Sequence, residues 1–188
     1  MRWISLFLGL AYFFSELLLS ITRRAPKSAN MRESDHSSLR LLWIVIGLSI
    51  WLALWLTSHF RAALLPHLRF FLALAVAIFA CGLVLRWWSI IRLGRFFTVN
   101  VAIARDHELI ETGPYRYLRH PSYTGVLLAF LGFGLSLGNW AALLGLLLPI
   151  FIAFLYRMKV EERTLIEGLG EKYVSYCRRT KRLVPFLY

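Results

Sequence analysis

Two polar clusters stand against apolar stretches in this chain. The first is Gly113-Pro-Tyr-Arg116 followed closely by Arg119-His-Pro-Ser-Tyr-Thr-Gly125; the second is Arg157 with Glu161 and Glu162. Lipid-facing helices have no need of either. Pro114 and Pro121 each remove a backbone donor and push the preceding residue away from helix, so the first cluster must turn where hydrocarbon meets water. A turn that opens a helix leaves backbone N–H groups free, and a polar small molecule can be held there. His120 and Tyr123 could instead be interfacial anchors, but Arg119-His120-Pro121 in sequence at a helix start favours a structured turn. In the second cluster Arg157 and Glu161 are four residues apart on one helix face. Arginine before glutamate is the weaker order for a helical ion pair, which contributes only about 0.3 kcal/mol. An arginine beside two carboxylates at a membrane boundary points to a polar cavity facing inward. The guanidinium fork suits a carboxylate, while a glutamate offers acceptors to ammonium and hydroxyl groups, so the pair can hold two different ligands side by side.

The elements that must position these residues are membrane helices. Of 188 residues 59% are hydrophobic and 15% aromatic, too apolar for a soluble domain of this length. A hydrocarbon layer of roughly 30 Å needs about 20 apolar helical residues. Five stretches qualify or nearly so: 3–21, 41–58, 68–85, 123–137 and 140–156. The last two predict a tight pair around Gly138-Asn139 that returns both polar clusters to one membrane face. The fold class is therefore all-α, a polytopic membrane protein of about five transmembrane helices with no Rossmann sheet, followed by an amphipathic cytoplasmic helix over 159–179 that is broken near Gly168 and Gly170. Residues 22–40 read as a loose surface connection and 89–112 as an irregular surface segment. Arg86-Trp87-Trp88 reads as an arginine snorkelling beside two interfacial indoles. Residues 1–85 form an amino-terminal unit of transmembrane helices with a basic loop, and 86–188 the region that carries the chemistry.

Charge and cysteine usage narrow the class further. Lysines and arginines number five between spans one and two, six between three and four, and eight after span five, against Arg2, Arg61 and Arg69 on the other side. The positive-inside rule then puts the amino terminus outside and the carboxyl terminus, with both clusters, in the cytoplasm; for a prokaryotic chain the site is the plasma or inner membrane. This bias and attraction to anionic lipid explain the net charge of +12 without nucleic acid. The first apolar stretch contains Glu16 and lacks a small-residue cleavage site, so it reads as a retained span and not as a secretory leader. Met1-Arg2 and the closing Pro-Phe-Leu-Tyr suggest neither myristoylation nor prenylation of the chain itself. Cys81 and Cys177 form no metal spacing or disulfide framework, and the histidines no i, i+4 pair, so no metal site is expected. Gly132-x-Gly134-x-x-x-Gly138 follows no strand and reads as close helix packing rather than a nucleotide fingerprint.

From about residue 85 onward the chain resembles the isoprenylcysteine carboxyl methyltransferase family. Residues 113–125 resemble its most recognisable motif. Arg157-x-x-x-Glu161-Glu162 with Leu165-Ile166, Gly170, Tyr173 and Tyr176 resembles its carboxyl signature, and Leu183-Val-Pro-Phe186 also fits. The resemblance implies S-adenosylmethionine as cofactor, bound without a Rossmann sheet between the last two spans and the amphipathic tail. It implies cofactor contacts from His107, Glu108, Leu109 and Ile110, from Tyr115, from His120, Pro121, Ser122 and Tyr123, and from Glu161, with Asn100 as a further polar contact. Arg157 matches the residue at the substrate carboxylate, so the resemblance gives Arg157 and Glu161 the catalytic roles. The partners implied are a lipophilic carboxylate of isoprenylcysteine type and membrane lipid.

In the reaction that the resemblance implies, a sulfonium methyl passes in line to a carboxylate oxygen that needs no general base, so positioning is expected to do most of the catalysis. Phe130, Phe133, Trp140, Phe151 and Phe154 are expected as apolar walls for a lipid tail. Three alternatives remain open at this level: a phospholipid amine methyltransferase, a sterol-type membrane reductase and a non-enzymatic membrane adaptor.

Overall fold

The computed structural model describes residues 2–22, 33–60, 63–65, 68–97 and 109–185. Among the described residues six α-helices follow one another: α1 (Arg2–Thr22), α2 (Glu33–His59), α3 (Leu68–Leu93), α4 (Pro121–Ser136), α5 (Trp140–Leu169) and α6 (Glu171–Arg179). Two 3-10 turns, Gly94–Phe96 and Gly113–Arg116, lie between α3 and α4. Four of the helices are long and apolar enough to cross a membrane: α1, α2, α3 and α5. Their outward side chains, among them Phe7, Phe14, Trp51, Phe70, Val84 and Ile152, are exposed as lipid-facing residues must be.

The shorter fourth apolar helix is a different kind of element. With 16 residues α4 is about 24 Å long, and most of its residues are buried against α3, α5 and α1 rather than facing lipid. Its closeness to α3 follows from missing side chains. A Cβ on Gly125 would come within 2.6 Å of the Gly82 carbonyl oxygen, and one on Gly132 within 2.5 Å of the Ala75 carbonyl oxygen. Small residues thus let two backbones touch, the usual device where lipid provides no hydrophobic drive between helices. Gly132 and Gly134 therefore serve packing as expected, Gly134 against Leu143 of α5. Gly138 makes the turn itself, at φ +68°. Asn139 then caps α5, accepting from the Ala142 N–H at 2.9 Å and donating to the Phe60 carbonyl at 2.8 Å.

Three boundaries differ from the sequence reading. α2 begins at Glu33, so residues 33–40, read as part of a loose connection, are the first turns of a helix. α3 continues to Leu93 instead of stopping near residue 85, because Arg86 is buried and paired rather than snorkelling. Its Nε and Nη2 donate to the two Glu16 carboxylate oxygens of α1, each at 2.7 Å, and its Nη1 donates to Ser122 Oγ of α4 at 3.1 Å. α5 runs unbroken through Gly168 to Leu169, so residues 159–169 extend a transmembrane rod and do not start a separate surface helix. The break falls at Gly170, whose φ of +58° ends α5 and opens α6.

Candidate functional site

The segment between residues 113 and 125 folds as its prolines require. Gly113, at φ +62°, admits the 3-10 turn that Pro114 opens, and Pro121 takes the first position of α4, where a missing N–H costs nothing. The turn is fastened from two directions. Tyr176 of α6 donates its hydroxyl to the carbonyls of Tyr115 at 2.7 Å and Leu118 at 3.2 Å. The tail after α6 runs alongside: Arg119 N donates to the Lys181 carbonyl, Lys181 N to the Tyr117 carbonyl and His120 N to the Arg182 carbonyl, at 2.7, 3.1 and 3.1 Å. Thr124 Oγ1 adds a bond to the Leu183 carbonyl at 2.7 Å.

Glu161 and Glu162, neighbours on α5, diverge by one helical step and meet different partners. Glu161 accepts the Tyr123 hydroxyl at 2.7 Å and lies 3.7 Å from His120 Nδ1. Glu162 is buried among two arginines and a histidine. Arg182 Nη2 and Arg119 Nε lie 2.7 and 2.9 Å from its oxygens, and His120 Nε2 lies 3.3 Å away. The Arg119 Nε contact places charge beside charge without an aligned hydrogen bond; the arginine's Nη1 is instead engaged by the Cys177 and Thr180 carbonyls. Glu162 therefore acts as the clasp that holds turn and tail together, while Glu161 is left for the cavity. The sequence pattern did not separate these roles, since Arg182 lies 20 residues away.

Arg157 is only 2% exposed. It donates to Ser38 Oγ of α2 at 2.5 Å and lies beside the Tyr123 phenol, which thus stands between the arginine and Glu161. Tyr123 is held from both faces by rings, stacked on His120 with centroids 5.4 Å apart and tilted on Phe154 at 4.9 Å.

These groups wall an open pocket that encloses about 860 Å³ together with the solvent at its mouth. Leu109, Ile110, Tyr115, His120, Ser122, Tyr123, Arg157 and Glu161 all line it, as do Phe96, Phe97, Leu165, Leu169, Tyr173 and Tyr176. Pro121 is fully buried in the first turn of α4, behind this wall. Asn100, His107 and Glu108 lie outside the described residues. Burial, reinforced by the nearby Glu161 carboxylate, pushes the Tyr115 and Tyr173 phenols far above their ordinary pKa. Both rings stay neutral in the cavity.

A second cavity of about 640 Å³ adjoins the first and shares Phe97, Ser122, Tyr123 and Arg157 with it. Leu39, Leu42, Trp43 and Ile46 of α2, Leu19 of α1, Val126 and Phe154 make it largely apolar. Of the five aromatic walls expected from the sequence, Phe154 lines this space. Phe130 and Phe133 line a deeper one. Trp140 packs on Phe71 at the far end of the bundle, with ring centroids 6.1 Å apart, and Phe151 is exposed to the lipid side. Glu16 and Arg86, unremarked as site residues by pattern alone, line the second cavity as well.

The profile of the family described as phospholipid methyltransferase matches residues 70–172, more than half of the chain. The chain belongs to this family. Its curated relatives include protein-S-isoprenylcysteine O-methyltransferase B of Arabidopsis thaliana, 35% identical over 108 residues, or 56% of this chain and 55% of that protein. The Schizosaccharomyces pombe protein-S-isoprenylcysteine O-methyltransferase is 32% identical over 115 residues, 60% of this chain and 49% of its own length. The chain thus spans about half the length of these relatives. Among solved structures, the eukaryotic intramembrane Ras methyltransferase, an isoprenylcysteine carboxyl methyltransferase, superposes with a TM-score of 0.68 at 23% identity, over 95% of this chain and 63% of that one. The all-α membrane architecture of this phospholipid methyltransferase family member is therefore shared with that enzyme.

Proposed function

We propose that the protein transfers a methyl group from S-adenosylmethionine to the carboxylate of a lipophilic acceptor of isoprenylcysteine type. What carries the reading is the wall common to the two cavities: a polar chamber and an apolar one meet at Ser122, Tyr123 and Arg157. The names of the relatives add support, each an O-methyltransferase of S-isoprenylcysteine.

The donor set of the polar chamber fits the cofactor. Glu161 offers acceptors for ammonium and hydroxyl groups, and Phe96, Phe97 and Tyr173 offer apolar faces for a flat ring. When bound, S-adenosylmethionine supplies an electrophilic methyl on a sulfonium sulfur. Arg157 aims the acceptor carboxylate with its planar fork, and the α-carboxyl, with an ordinary pKa of about 3.5, is already ionised at neutral pH. One C–O bond forms, one C–S bond breaks and no proton has to move. Methylation removes the acceptor's charge, so a strong ion pair with Arg157 would favour the ground state over the transition state; orientation is the useful contribution. Ser38 and Tyr123 hold the guanidinium for that purpose. The apolar side accommodates the lipid tail. We assign residues 86–188 as the catalytic region and the site to the cytoplasmic face, with the amino terminus outside, on the strength of the basic-residue bias.

Radiolabelled methyl transfer to N-acetyl-S-farnesylcysteine by the purified protein tests this. Arg157→Ala abolishes acceptor use with cofactor binding retained, and Glu161→Ala weakens cofactor binding; equal turnover in all three proteins overturns the assignment. The family description favours one second reading, methylation of a phospholipid amine. Arg157 argues against a protonated amine at the shared wall, and methylation of phosphatidylethanolamine vesicles in preference to the prenylcysteine would decide for it.

A further inference from the structure

The cleft between α1, α2 and α4 continues past the apolar acceptor cavity. Beyond it lies a larger space of about 1920 Å³, open to the lipid side and lined by Ser5, Gly9, Phe13, Ile50, Phe130 and Phe133 among others. Both cavities run along the same three helices. On α1 the inner one spans residues 12–20 and the outer one 5–13; on α2 they span 39–46 and 50–58. At 1.5 Å per residue each segment covers about 11–12 Å of depth along α1. Among the described residues one side chain borders both: Tyr12.

Tyr12 is fixed from two sides. Its ring packs against Phe130 of α4, with centroids 4.9 Å apart, and it lies beside Glu16, the carboxylate clamped by Arg86. A polar chain thus runs from Ser122 on the site wall through Arg86 and Glu16 to this one ring. From it we infer that Tyr12, backed by Phe130, is the bulkhead that sets how long an acceptor tail the protein accepts, with the outer cavity as the space into which a longer isoprenoid would extend. The inference rests on the proposed carboxyl methylation of a prenylated acceptor.

The test compares S-geranyl, S-farnesyl and S-geranylgeranyl N-acetylcysteine as acceptors for the reconstituted full chain. Tyr12→Ala raises the kcat/KM ratio of the longest over the shortest acceptor by roughly tenfold or more, the scale on which a steric change of one or two carbons in an apolar pocket is felt. Tyr12→Phe keeps the ring and leaves the ratio unchanged. A Cβ on Gly9 would sit in ordinary contact with Phe133, 3.5 Å away, so Gly9→Leu can fill the outer cavity without moving backbone; added to Tyr12→Ala it restores the short-tail preference. Phe130→Leu opens the same barrier from the α4 side and serves if Tyr12→Ala does not fold. Unchanged ratios in Tyr12→Ala and Phe130→Leu, with the wild type active on at least one acceptor, overturn the bulkhead alone. A wild type that methylates none of the three overturns the carboxyl methylation on which it rests, and the bulkhead with it.

Discussion

The inner and outer halves of the α1/α2/α4 cleft are built from opposite materials. On the inner side Glu16, Arg86 and Ser122 link α1, α3 and α4, and Arg157 and Ser38 link α5 and α2, through charged or hydroxyl groups. On the outer side the polar atoms are hydroxyls: Thr57 and Ser58 return theirs to carbonyls of their own helix, and Ser5 and Ser136 bond each other. A buried charge in a membrane is costly unless paired, and it is kept where it does something specific. The inner half thus carries orientation and the outer half only volume. The same helices that bury a site at one end merely separate at the other.

The strongest way to break this contrast is at Arg157. Arg157→Ala should cut kcat/KM for a prenylcysteine by about a hundredfold or more, since a poorly placed reacting group can alone cost that much, and Arg157→Lys should restore little because a point charge cannot reproduce the fork. Methyl-transfer kinetics decide this; recovery by lysine would make charge, and not shape, the operative property. Next in size is Glu162→Ala, which strands Arg119 and Arg182 around a lost carboxylate. Breaking such a buried cluster costs about 3–5 kcal/mol, to be read as a lower thermal midpoint in detergent, with the turn at residues 113–120 exposed to protease before the rest.

A comparable test of the scaffold is Gly125→Val. With a new Cβ within 2.6 Å of the Gly82 carbonyl oxygen, α3 and α4 must separate, which displaces Ser122 from Arg86; overpacking of this kind costs typically 1–3 kcal/mol. Unfolding equilibria should register the loss, and unchanged stability would mean that the seam yields freely. The smallest effect belongs to the outer half. Thr57→Ala removes a hydroxyl that bonds only the Ala53 carbonyl one turn back at 2.8 Å, so stability and turnover should stay within about 0.5 kcal/mol of wild type.

What the sequence disclosed follows the same division. Prolines and glycines at 113–125 and the Arg-x-x-x-Glu-Glu pattern announce themselves locally, and the short link at Gly138-Asn139 forces α4 and α5 to be antiparallel, so the meeting of Tyr123, His120, Arg157 and Glu161 was legible. Partnerships across large separations were not. Arg86 reads as an ordinary interfacial arginine until Glu16, 70 residues earlier, is seen opposite it, and Glu162 reads as a second ligand group until Arg182 closes on it. Trp140 and Phe151 illustrate the converse error: aromatic character suggests a wall, but only helix rotation and depth decide which side of the wall a ring occupies.

The continuity of α5 has a consequence for the surrounding bilayer. Thirty residues make one rod of about 45 Å, pinned by Asn139 at one surface and bearing Arg157 and Glu161 toward the other. Thicker membranes stand such a rod upright and thinner ones lean it over, so hydrophobic thickness sets the tilt of the helix that carries Arg157 and Glu161. Reconstituted turnover should therefore pass through a maximum as acyl chains are lengthened, making the lipid itself a rheostat for the reaction.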